Sequence, residues 1–311
     1  MKTLVLQDKK VSWKSSFPTL KIKGGESCKN LRNLHRVWDF LLKHNADRNT
    51  VLLCVGGGSI SDLGGLAAST YLRGIRFSVM PTTVLSMVDA SIGGKTGIDY
   101  KGFKNLIGTF QRPYRQSIDT RLLKTLPYEE FLSGMAEVVK TGLLNNEIHF
   151  NEALAALEDG QISEDLVLKT RAFKEHIVHL DPKDRNIRHQ LNLGHTIGHA
   201  LEEAGMKWNM PIRHGYAVMQ GLVAELYLSM MKTGLDKRII SQLSHILIEY
   251  YGKPAYSCKD YQKLIAIMRQ DKKNVEGKIN FTFLQNIGQP LINQTATDKE
   301  IEEALEYLFT L

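Results

Sequence analysis

Short apolar runs alternate with helical patterns through the first third of the chain. The segments TLVLQD, TLKIKGGE, VLLCVGGG and RFSVMPTT each predict a strand, and Pro81 ends the last of them. Apolar residues at helical spacing predict helices over residues 31–43 and 62–73. Because strands and helices alternate, we expect an α/β fold built on a parallel sheet with crossover helices.

Helical periodicity dominates from about residue 121 onward, over residues 129–144, 162–180, 191–204 and 214–231. Near the end, KINFTFL and QPLINQT alternate like the strands of a hairpin. Thr297 and Glu300 then match a capping box for a helix that ends at Phe309. We therefore predict an α/β domain over residues 1–120 and a mainly helical domain over residues 121–311.

The composition is that of a folded globular protein. Hydrophobic residues make up 43% of the 311 residues and charged residues 23%. This length exceeds the usual size of one domain, which agrees with a division into two. The longest apolar runs, such as residues 51–55, are far too short to cross a bilayer. The three scattered cysteines suit reduced thiols, so we expect a cytoplasmic protein without membrane segments.

A net charge of +7 favours an anionic partner. Nucleic acid is one candidate, because Lys and Arg gain affinity by releasing the counterions of phosphates. The chain has no long basic block, however, and several cations lie within glycine-rich or histidine-rich segments. We therefore expect a small anionic substrate and no nucleic acid.

The glycine-rich segment GGGSISDLGG, residues 56–65, follows a predicted strand and leads into a predicted helix. Bare backbone N–H groups at the positive end of a helix favour a phosphate, so this segment is a candidate nucleotide loop. Ser61 stands where the GxGxxG fingerprint has its third glycine, which weakens the motif. A tight turn whose glycines need φ > 0 is the other interpretation.

A second polar segment, VDASIGGKTGIDYKGFKNLIG, places Asp89, Lys95, Lys104 and Asn105 among glycines. It is too polar for a strand and too rich in glycine for a stable helix, so we expect a loop. Such a loop can wrap an anion, because its lysines supply charge and its glycines allow the backbone to approach closely. A solvated loop whose lysines bind nothing is the alternative.

Carboxylate and imidazole side chains recur in the second half. Glu137 and Lys140 share a helical face in GMAEVVKTG, either as a surface ion pair or as a partly buried one. His195 and His199 point the same way on the helix of LNLGHTIGHALE, and His214 follows in HGYAV. One Glu with two or three His matches the ligands of catalytic zinc. Spacing would pair His195 with His199, but it does not say which two histidines bind, and structural histidines are the alternative.

These motifs, together with GGESCK, YLRG, PTT, LKTLP and DKKN, resemble as a set the 3-dehydroquinate synthase family, from about residue 24 to about residue 289. The resemblance implies a Rossmann-like NAD-binding domain, shortened at its start, and a helical domain for metal and substrate. It also implies NAD and a divalent metal, usually zinc, with cobalt as the alternative. In this family NAD oxidises the C5 hydroxyl of 3-deoxy-D-arabino-heptulosonate 7-phosphate. Phosphate then leaves, the ketone is reduced again, and the ring recloses by an aldol step.

The resemblance assigns roles residue by residue. The metal ligands would be Glu137, His195 and His214, and the catalytic contacts would be His199, Lys140, Asp89 and Asn192. The NAD contacts would be Gly25, Glu26, Lys29, Gly58, Ser59, Ile60, Ser61, Asp62, Thr82, Thr83, Lys95, Lys104, Leu122, Leu123, Lys124 and Thr125. Further substrate contacts would be Arg73, Lys95, Lys104, Asn105, Lys174, Arg188, and Lys272 or Lys273.

Arg73 matches an arginine that reaches the phosphate site of a neighbouring subunit, so the resemblance implies a homodimer. The chain departs from the family pattern at its start, in HGYAV, and at Asn186, where a glycine is usual before Arg188. Only about two dozen residues precede GGESCK, so we expect the strand that ends near Asp8 to have lost or shortened its following helix. HGYAV also places Tyr216 where a glutamate is commoner, which we expect to have a modest effect.

Three rival interpretations remain. Another sugar-phosphate cyclase would share the metal and NAD sites, although Arg188, Lys174 and Asn192 favour a substrate with a carboxylate. A polyol dehydrogenase dependent on NAD and metal would release NADH and would need no phosphate contacts. A non-catalytic relative would keep the site without turnover.

Overall fold

The computed structural model describes residues 2–270, 274 and 278–311. The chain divides into two compact units, the first made of Met1–Phe131 and Ser163–Arg171 and the second of Leu132–Ile162 and Ala172–Leu311. The division falls after Phe131, whereas the sequence pattern placed it after residue 120, and residues 163–171 join the first unit. Lys272 and Lys273, the alternatives for one phosphate contact, lie outside the described residues.

A parallel sheet forms the centre of the first unit. The elements of this unit are β1 (Thr3–Asp8), β2 (Thr19–Ile22), α1 (Leu31–Lys43), β3 (Val51–Gly56), α2 (Gly58–Thr70), β4 (Arg76–Pro81), β5 (Lys95–Tyr100), β6 (Phe103–Phe110) and β7 (Arg115–Gln116). The strand order is β2-β1-β3-β4-β7, and every neighbouring pair is parallel. Apolar side chains from this sheet, α1 and α2 form one core, which confirms the expected α/β fold.

The connection between β1 and β2 contains no helix. It spans residues 9–18 and leads directly from one strand to its parallel neighbour. Parallel neighbours usually need a crossover of a dozen or more residues, most often a helix. Here the Gln7 amide Nε2 donates to the carbonyl oxygens of Val11 and Trp13 at 2.8 and 2.9 Å, which ties the connection to β1. The strand that ends at Asp8 is therefore followed by no helix before β2.

The polar segment expected to form a loop is a hairpin instead. Strand β5 pairs with β6 in antiparallel register, with Thr96 opposite Thr109 and their hydroxyl oxygens 2.8 Å apart. A Cβ on Gly108 would lie 2.2 Å from the Thr96 carbonyl oxygen, so glycine permits this approach of the two strands. Pairing between strands thus outweighs the low strand propensity of glycine, and Lys95 and Lys104 lie on strands.

The segment GGGSISDLGG serves helix packing rather than a tight turn. None of its five glycines has a positive φ, so the tight-turn interpretation is wrong. Helix α2 begins at Gly58, earlier than the pattern predicts. A Cβ on Gly64 would lie 2.2 Å from the Cys54 Sγ atom on β3, and a Cβ on Gly65 would lie 2.4 Å from the Thr96 Cγ2 atom on β5. These two glycines therefore let α2 lie directly on the sheet and on the hairpin.

Helices make up most of the second unit. From residue 128 onward the elements are α3 (Tyr128–Asn145), α4 (Glu147–Glu158), α5 (Glu164–Leu180), α6 (His195–Lys207), α7 (His214–Thr233), α8 (Lys237–Ile246), α9 (Tyr261–Met268), β8 (Phe281–Asn286), β9 (Gln289–Gln294) and α10 (Asp298–Thr310). Strands β8 and β9 form the expected antiparallel hairpin, and the capping box of Thr297 and Glu300 begins α10. Within the described residues, no helix combines the length and the apolar character needed to cross a membrane.

We expect the substitution Gly64→Ala to destabilise the first unit, although alanine favours helices. The new Cβ would lie 2.2 Å from the Cys54 Sγ atom, so α2 must shift on the sheet at a cost of about 1–3 kcal/mol. Cys54→Ala removes the sulfur, so the double variant should be less destabilised than the sum of the two single variants. Urea unfolding of the wild type, the two single variants and the double variant measures this coupling. Strictly additive costs would contradict the packing argument.

Candidate active site

Three side chains from three helices of the second unit meet at one point. Glu137 lies on α3, while His195 and His214 are the first residues of α6 and α7. The Glu137 Oε1 atom lies 3.4 Å from His195 Nε2 and 3.5 Å from His214 Nε2. The three ligand atoms all lie within 4.8 Å of one another, which suits one metal ion. The structure thus brings together the residues that the family resemblance assigns to the metal.

Close backbone packing fixes the start of α7. A Cβ on Gly215 would lie 1.9 Å from the Ser133 carbonyl oxygen, and Gly215 N donates to Ser133 Oγ at 3.1 Å. Ser133 lies one turn before Glu137 on α3, so this contact holds His214 beside Glu137. Gly215, the glycine of HGYAV, therefore allows the helix contact that positions His214.

Hydrogen bonds behind the two histidines set their orientation. The His195 Nδ1 atom lies 3.1 Å from the carbonyl oxygen of Leu193, and a carbonyl can only accept, so Nδ1 carries the proton. The His214 Nδ1 atom lies 3.2 Å from Glu202 Oε2. Both contacts direct Nε2 toward Glu137, and such partners commonly fix the imidazoles that bind metals.

Glu137 is a buried carboxylate in positive surroundings. Its surface is only 1% exposed, and it forms an ion pair with Lys140, which is 2% exposed, so the surface interpretation of this pair is wrong. The Lys140 Nζ atom also donates to the Leu191 carbonyl oxygen at 2.9 Å. Among the described residues, neither Glu137 oxygen receives a hydrogen bond of good geometry. A buried carboxylate in that state fits a metal ligand.

The groups of this cluster have shifted pKa values in the metal-free chain. Burial would raise the pKa of Glu137, but the ammonium of Lys140 holds it well below its usual value. Burial, helped by Lys140, lowers the pKa of His195 to about 3, so its ring is neutral. Burial would also lower the pKa of His214, but the carboxylates of Glu137 and Glu202 raise it to about 10.

His199 lies beside the cluster but is not one of its three ligands. Its ring centroid is 5.1 Å from that of His195 and 6.0 Å from that of His214. Among the described residues, the ligand atom of His195 lies with those of Glu137 and His214, and His199 is not part of this group. Helical spacing alone therefore points to a different pair. The role of His199 in substrate contact and proton transfer stays a prediction.

In the first unit, the GGESCK turn meets α2 and the hairpin. Lys29 is only 3% exposed, and its Nζ atom lies 3.0 Å from both Glu26 Oε1 and Asp62 Oδ2 and contacts Asn105 Oδ1. Burial raises the pKa of Asp62 to about 6 although Lys29 opposes this shift. Burial would lower the pKa of Lys29, but Asp62 and Glu26 raise it. Four residues assigned to NAD and phosphate thus form one polar cluster, the Lys29 cluster.

Other residues assigned to NAD surround the start of α2. Gly25 N donates to Ser59 Oγ at 3.0 Å, which joins the GGESCK turn to the glycine-rich segment. Ile60 is fully buried, and Ser61 Oγ donates to the Gly58 carbonyl oxygen at 2.8 Å. The side chains of Ile60 and Ser61 therefore serve the fold, and their backbone N–H groups donate to the Gly57 carbonyl oxygen at 3.0 and 3.3 Å.

The remaining NAD candidates lie on three further segments. Thr82 and Thr83 follow β4, and a Cβ on Gly57 would lie 3.3 Å from Thr83 Cγ2. Lys95 is exposed and Lys104 half-buried on the hairpin. Leu122, Leu123, Lys124 and Thr125 lie in a 3₁₀ helix, Thr120–Thr125. Their contacts with NAD stay predictions.

The substrate candidates of the second unit are Lys140, Lys174, Arg188, Asn192 and His199. Arg188 is 5% exposed and lies after a turn that the Asp181 carboxylate holds, since that carboxylate accepts from the backbone N–H groups of residues 185, 186 and 188. Lys174, Asn192 and His199 are half-buried.

Asp89 and Arg73 belong to two special turns of the first unit. Asp89 lies in a π-helical turn, Ser86–Ala90, and the buried Arg171 donates to the Met87 carbonyl oxygen at 2.7 Å. Leu72 and Arg73 have φ values of 52° and 62°, which L-residues seldom adopt. Arg73 is exposed, so this strained turn presents its guanidinium to solvent.

Sequence reasoning missed the residues that support the site from behind. Glu202 follows His195 by two helical turns and shares its face, so helical spacing could have found it. Asp181 and Arg171 bind backbone groups, which leave no sequence signal. Tyr216 packs edge-on against Tyr251, with ring centroids 5.0 Å apart at 73°, while Glu202 supplies the carboxylate behind His214.

A parallel-sheet unit with a glycine-rich helix start and a helical unit with a carboxylate and imidazole cluster define a two-unit α/β protein with a candidate metal centre. Residues 19–133 match the model of the 3-dehydroquinate synthase N-terminal domain, and residues 134–274 match that of the C-terminal domain. A 3-dehydroquinate synthase from Parabacteroides distasonis is 42% identical over 293 residues, which cover 93% of this chain and 83% of the relative. The chain belongs to the 3-dehydroquinate synthase family, a family of enzymes.

Two solved structures share the fold. A 2-epi-5-epi-valiolone synthase from Streptomyces hygroscopicus subsp. jinggangensis, solved with NAD+ and Zn2+ bound, matches with a TM-score of 0.87 at 23% identity, over 99% of this chain and 90% of that one. A 2-deoxy-scyllo-inosose synthase, solved with carbaglucose-6-phosphate, NAD+ and Co2+, matches with a TM-score of 0.82 at 22% identity, over 98% and 90%. At these identities the likeness establishes the fold alone.

We expect the two histidines to give the metal-free chain a stability maximum near pH 6.5. The pKa of His214 rises from 6.5 to about 10 on folding, so its contribution is complete below pH 6.5 and is lost as the pH approaches 10. The pKa of His195 falls from 6.5 to about 3, so its contribution is complete above pH 6.5 and is lost as the pH approaches 3.

Urea unfolding of the metal-free chain across this pH range measures both slopes. His214→Asn should remove the alkaline decline, whereas His245→Asn, at a side chain that is 79% exposed, should leave it. A wild-type stability that keeps rising above pH 6.5 would contradict the assignment to His214.

Proposed function

We propose that this chain catalyses the reaction of its family, the conversion of 3-deoxy-D-arabino-heptulosonate 7-phosphate to 3-dehydroquinate and phosphate in the shikimate pathway. The observation that carries the proposal is the buried Glu137 carboxylate. It lacks well-aligned donors among the described residues and faces the Nε2 atoms of His195 and His214. A cytoplasmic location stays a prediction from composition.

Glu137, His195 and His214 would hold the divalent metal. One carboxylate and two imidazoles are a ligand set of catalytic zinc, and three protein ligands leave a coordination position open. Zinc is the first choice and cobalt the second. The metal would supply Lewis acidity for the hydroxyl that is oxidised, and NAD would supply the hydride acceptor.

The Lys29 cluster supports the NAD site. Lys29, in the GGESCK turn, contacts Asp62 in the second turn of α2, close to the positive helix end that favours a pyrophosphate. Gly25 and Ser59 are joined there by a hydrogen bond of 3.0 Å. The other proposed NAD contacts are Glu26, Gly58, Ile60, Ser61, Thr82, Thr83, Lys95, Lys104, Leu122, Leu123, Lys124 and Thr125.

The cations assigned to the substrate match its two anionic ends. Lys174, Arg188 and Asn192 would bind the carboxylate, and Lys95, Lys104, Asn105 and Arg73 would bind the phosphate, together with Lys272 or Lys273. Multiple charge-assisted hydrogen bonds would fix the orientation of the substrate as well as its affinity.

Three residues would contact the reacting part of the substrate. The Lys140 ammonium forms an ion pair with Glu137 and donates to the Leu191 carbonyl, and with three N–H groups it would also donate to a substrate hydroxyl. Asp89 would accept from another hydroxyl, and His199 would exchange a proton with the substrate. The family resemblance assigns the proton of the elimination step to the phosphate of the substrate itself.

Phosphate release from 3-deoxy-D-arabino-heptulosonate 7-phosphate tests the proposal, with zinc and NAD+ added and NADH absorbance followed in the same sample. We expect equal amounts of phosphate and 3-dehydroquinate without net NADH. Glu137→Gln should lower the rate by about a hundredfold or more, because it removes a metal ligand. Glu129→Gln, at an exposed residue of the same helix, should keep the wild-type rate.

Each rival interpretation gives a different result in this assay. Net NADH from a polyol would favour a dehydrogenase, and phosphate released only from a neutral sugar phosphate would favour another cyclase. A folded, zinc-loaded chain that turns over none of these substrates would favour a non-catalytic relative and would contradict the proposal.

We also propose a homodimer that forms through the hairpin edge. Strand β6 pairs with β5 and with no other described strand, and its side chains Phe103, Leu106 and Phe110 are 64%, 45% and 67% exposed. An exposed apolar edge strand is a template for pairing with another chain. The strained turn would present Arg73 to the phosphate site of the second copy.

Mixing two inactive variants tests this sharing of sites. Arg73→Ala and Lys140→Met should each abolish most of the activity as homodimers. After the chains are mixed and allowed to exchange, about a quarter of all sites should combine an intact Arg73 with an intact Lys140, and activity should return to about that fraction. Mixtures that stay inactive, in samples that sedimentation velocity finds dimeric, would contradict a role for Arg73 across the dimer.

A further inference from the structure

Glu225 is a buried carboxylate that the proposed reaction does not use. It lies on α7 and its surface is 0% exposed. Its Oε2 atom accepts from the backbone N–H of Gly194 at 2.7 Å, and its Oε1 atom accepts from that of Ile197 at 2.9 Å. Each oxygen of this carboxylate thus binds the first turn of α6, the helix that begins with His195.

Helix α6 has no cap of its own at that end. Its N-cap residue is Gly194, which has a φ of 77° and no side chain to accept from the first N–H groups. Helices usually satisfy these N–H groups with a Ser, Thr, Asp or Asn at the N-cap. Here a residue of the neighbouring helix supplies both acceptors, and its negative charge faces the positive end of α6.

The same end of α6 packs on α7 through glycine. A Cβ on Gly221 would lie 2.0 Å from the Gly194 carbonyl oxygen, and a Cβ on Gly198 would lie 2.9 Å from the Ala217 carbonyl oxygen. The two helix backbones therefore touch. The Glu225 carboxylate is the polar link across this contact.

These two helices each carry one proposed metal ligand. His195 is the first residue of α6 and His214 the first of α7, so the distance between their Nε2 atoms depends on how α6 lies on α7. The two hydrogen bonds of Glu225 hold Gly194 and Ile197, which flank His195 in the chain. A shift of the first turn of α6 would move His195 while leaving Glu137 and His214 in place.

We propose that Glu225 is a positioning residue of the metal site, which holds His195 at the correct distance from His214 through the cap of α6. This inference rests on the proposed function, because it assumes that the cluster binds a divalent metal. It assigns a role to a residue that touches neither metal nor substrate. The geometry of the metal site would then depend on a carboxylate outside the ligand set.

The test compares metal binding by the wild-type chain and by Glu225→Gln. The amide has the size of the carboxylate but only one acceptor oxygen, and its NH2 group would oppose a backbone N–H. We expect the zinc affinity, measured by competition with a chromophoric chelator, to fall about 10- to 100-fold. The visible spectrum of the Co2+-loaded chain should change as well, because it reports the arrangement of the ligands.

A second variant separates positioning from a general loss of stability. Leu243→Ala creates a cavity at a fully buried residue of α8, a helix that carries none of the proposed metal ligands. It should lower the urea unfolding midpoint while leaving the zinc affinity and the Co2+ spectrum unchanged. A Glu225→Gln chain with the affinity and spectrum of wild type would overturn the proposal, whatever its unfolding midpoint.

Amide hydrogen exchange covers the case in which Glu225→Gln does not fold. Glu225→Asp keeps the charge on a shorter side chain that cannot reach both N–H groups, so the Gly194 or Ile197 amide should exchange faster and zinc should bind more weakly. Unchanged exchange and affinity in this variant would overturn the proposal. A wild-type chain that binds zinc but releases no phosphate would contradict the proposed function alone, and one that binds no zinc would contradict both.

Discussion

The ionised carboxylate of Glu137, buried among apolar helices, is the constraint on which the second unit depends. A carboxylate in such a place is costly unless positive or polar groups surround it. Lys140 lies on the same helix, but the imidazoles of His195 and His214 come from two others. Three helices must therefore meet in one arrangement before this charge is stabilised.

The charges around Glu137 also balance without a metal. With His214 protonated, Glu137 and Glu202 oppose Lys140 and His214, so two negative groups face two positive ones. A divalent cation bound there would displace the proton of His214 and take over its neutralising role. The metal-free chain can therefore fold around the same cluster that would hold the ion.

Local patterns in the sequence predict the parallel sheet, most helices and the carboxylate and imidazole residues of the site, because periodicity and residue type report local structure. They do not predict which histidine accompanies His195. His199 is its neighbour on α6, whereas His214 comes from another helix, whose start is held by the packing of Gly215 on Ser133. The loop predicted around Lys95 and Lys104 is wrong for the same reason. Hydrogen bonds between β5 and β6 form the hairpin there, and local composition does not report such pairing. Glu225 and Asp181 bind backbone N–H groups, which every residue except proline has and which no sequence motif identifies.

The contact between Gly64 and Cys54 has a consequence for thiol chemistry. Burial raises the pKa of Cys54 to about 12 and that of Cys28 to about 11, so both thiols stay protonated, whereas Cys258 is exposed. Only the thiolate reacts readily with alkylating reagents. A reagent would therefore modify Cys258 first and reach Cys54 only when α2 lifts from the sheet. The rate at which a reagent modifies Cys54 would thus report how often the first unit opens, without an introduced label.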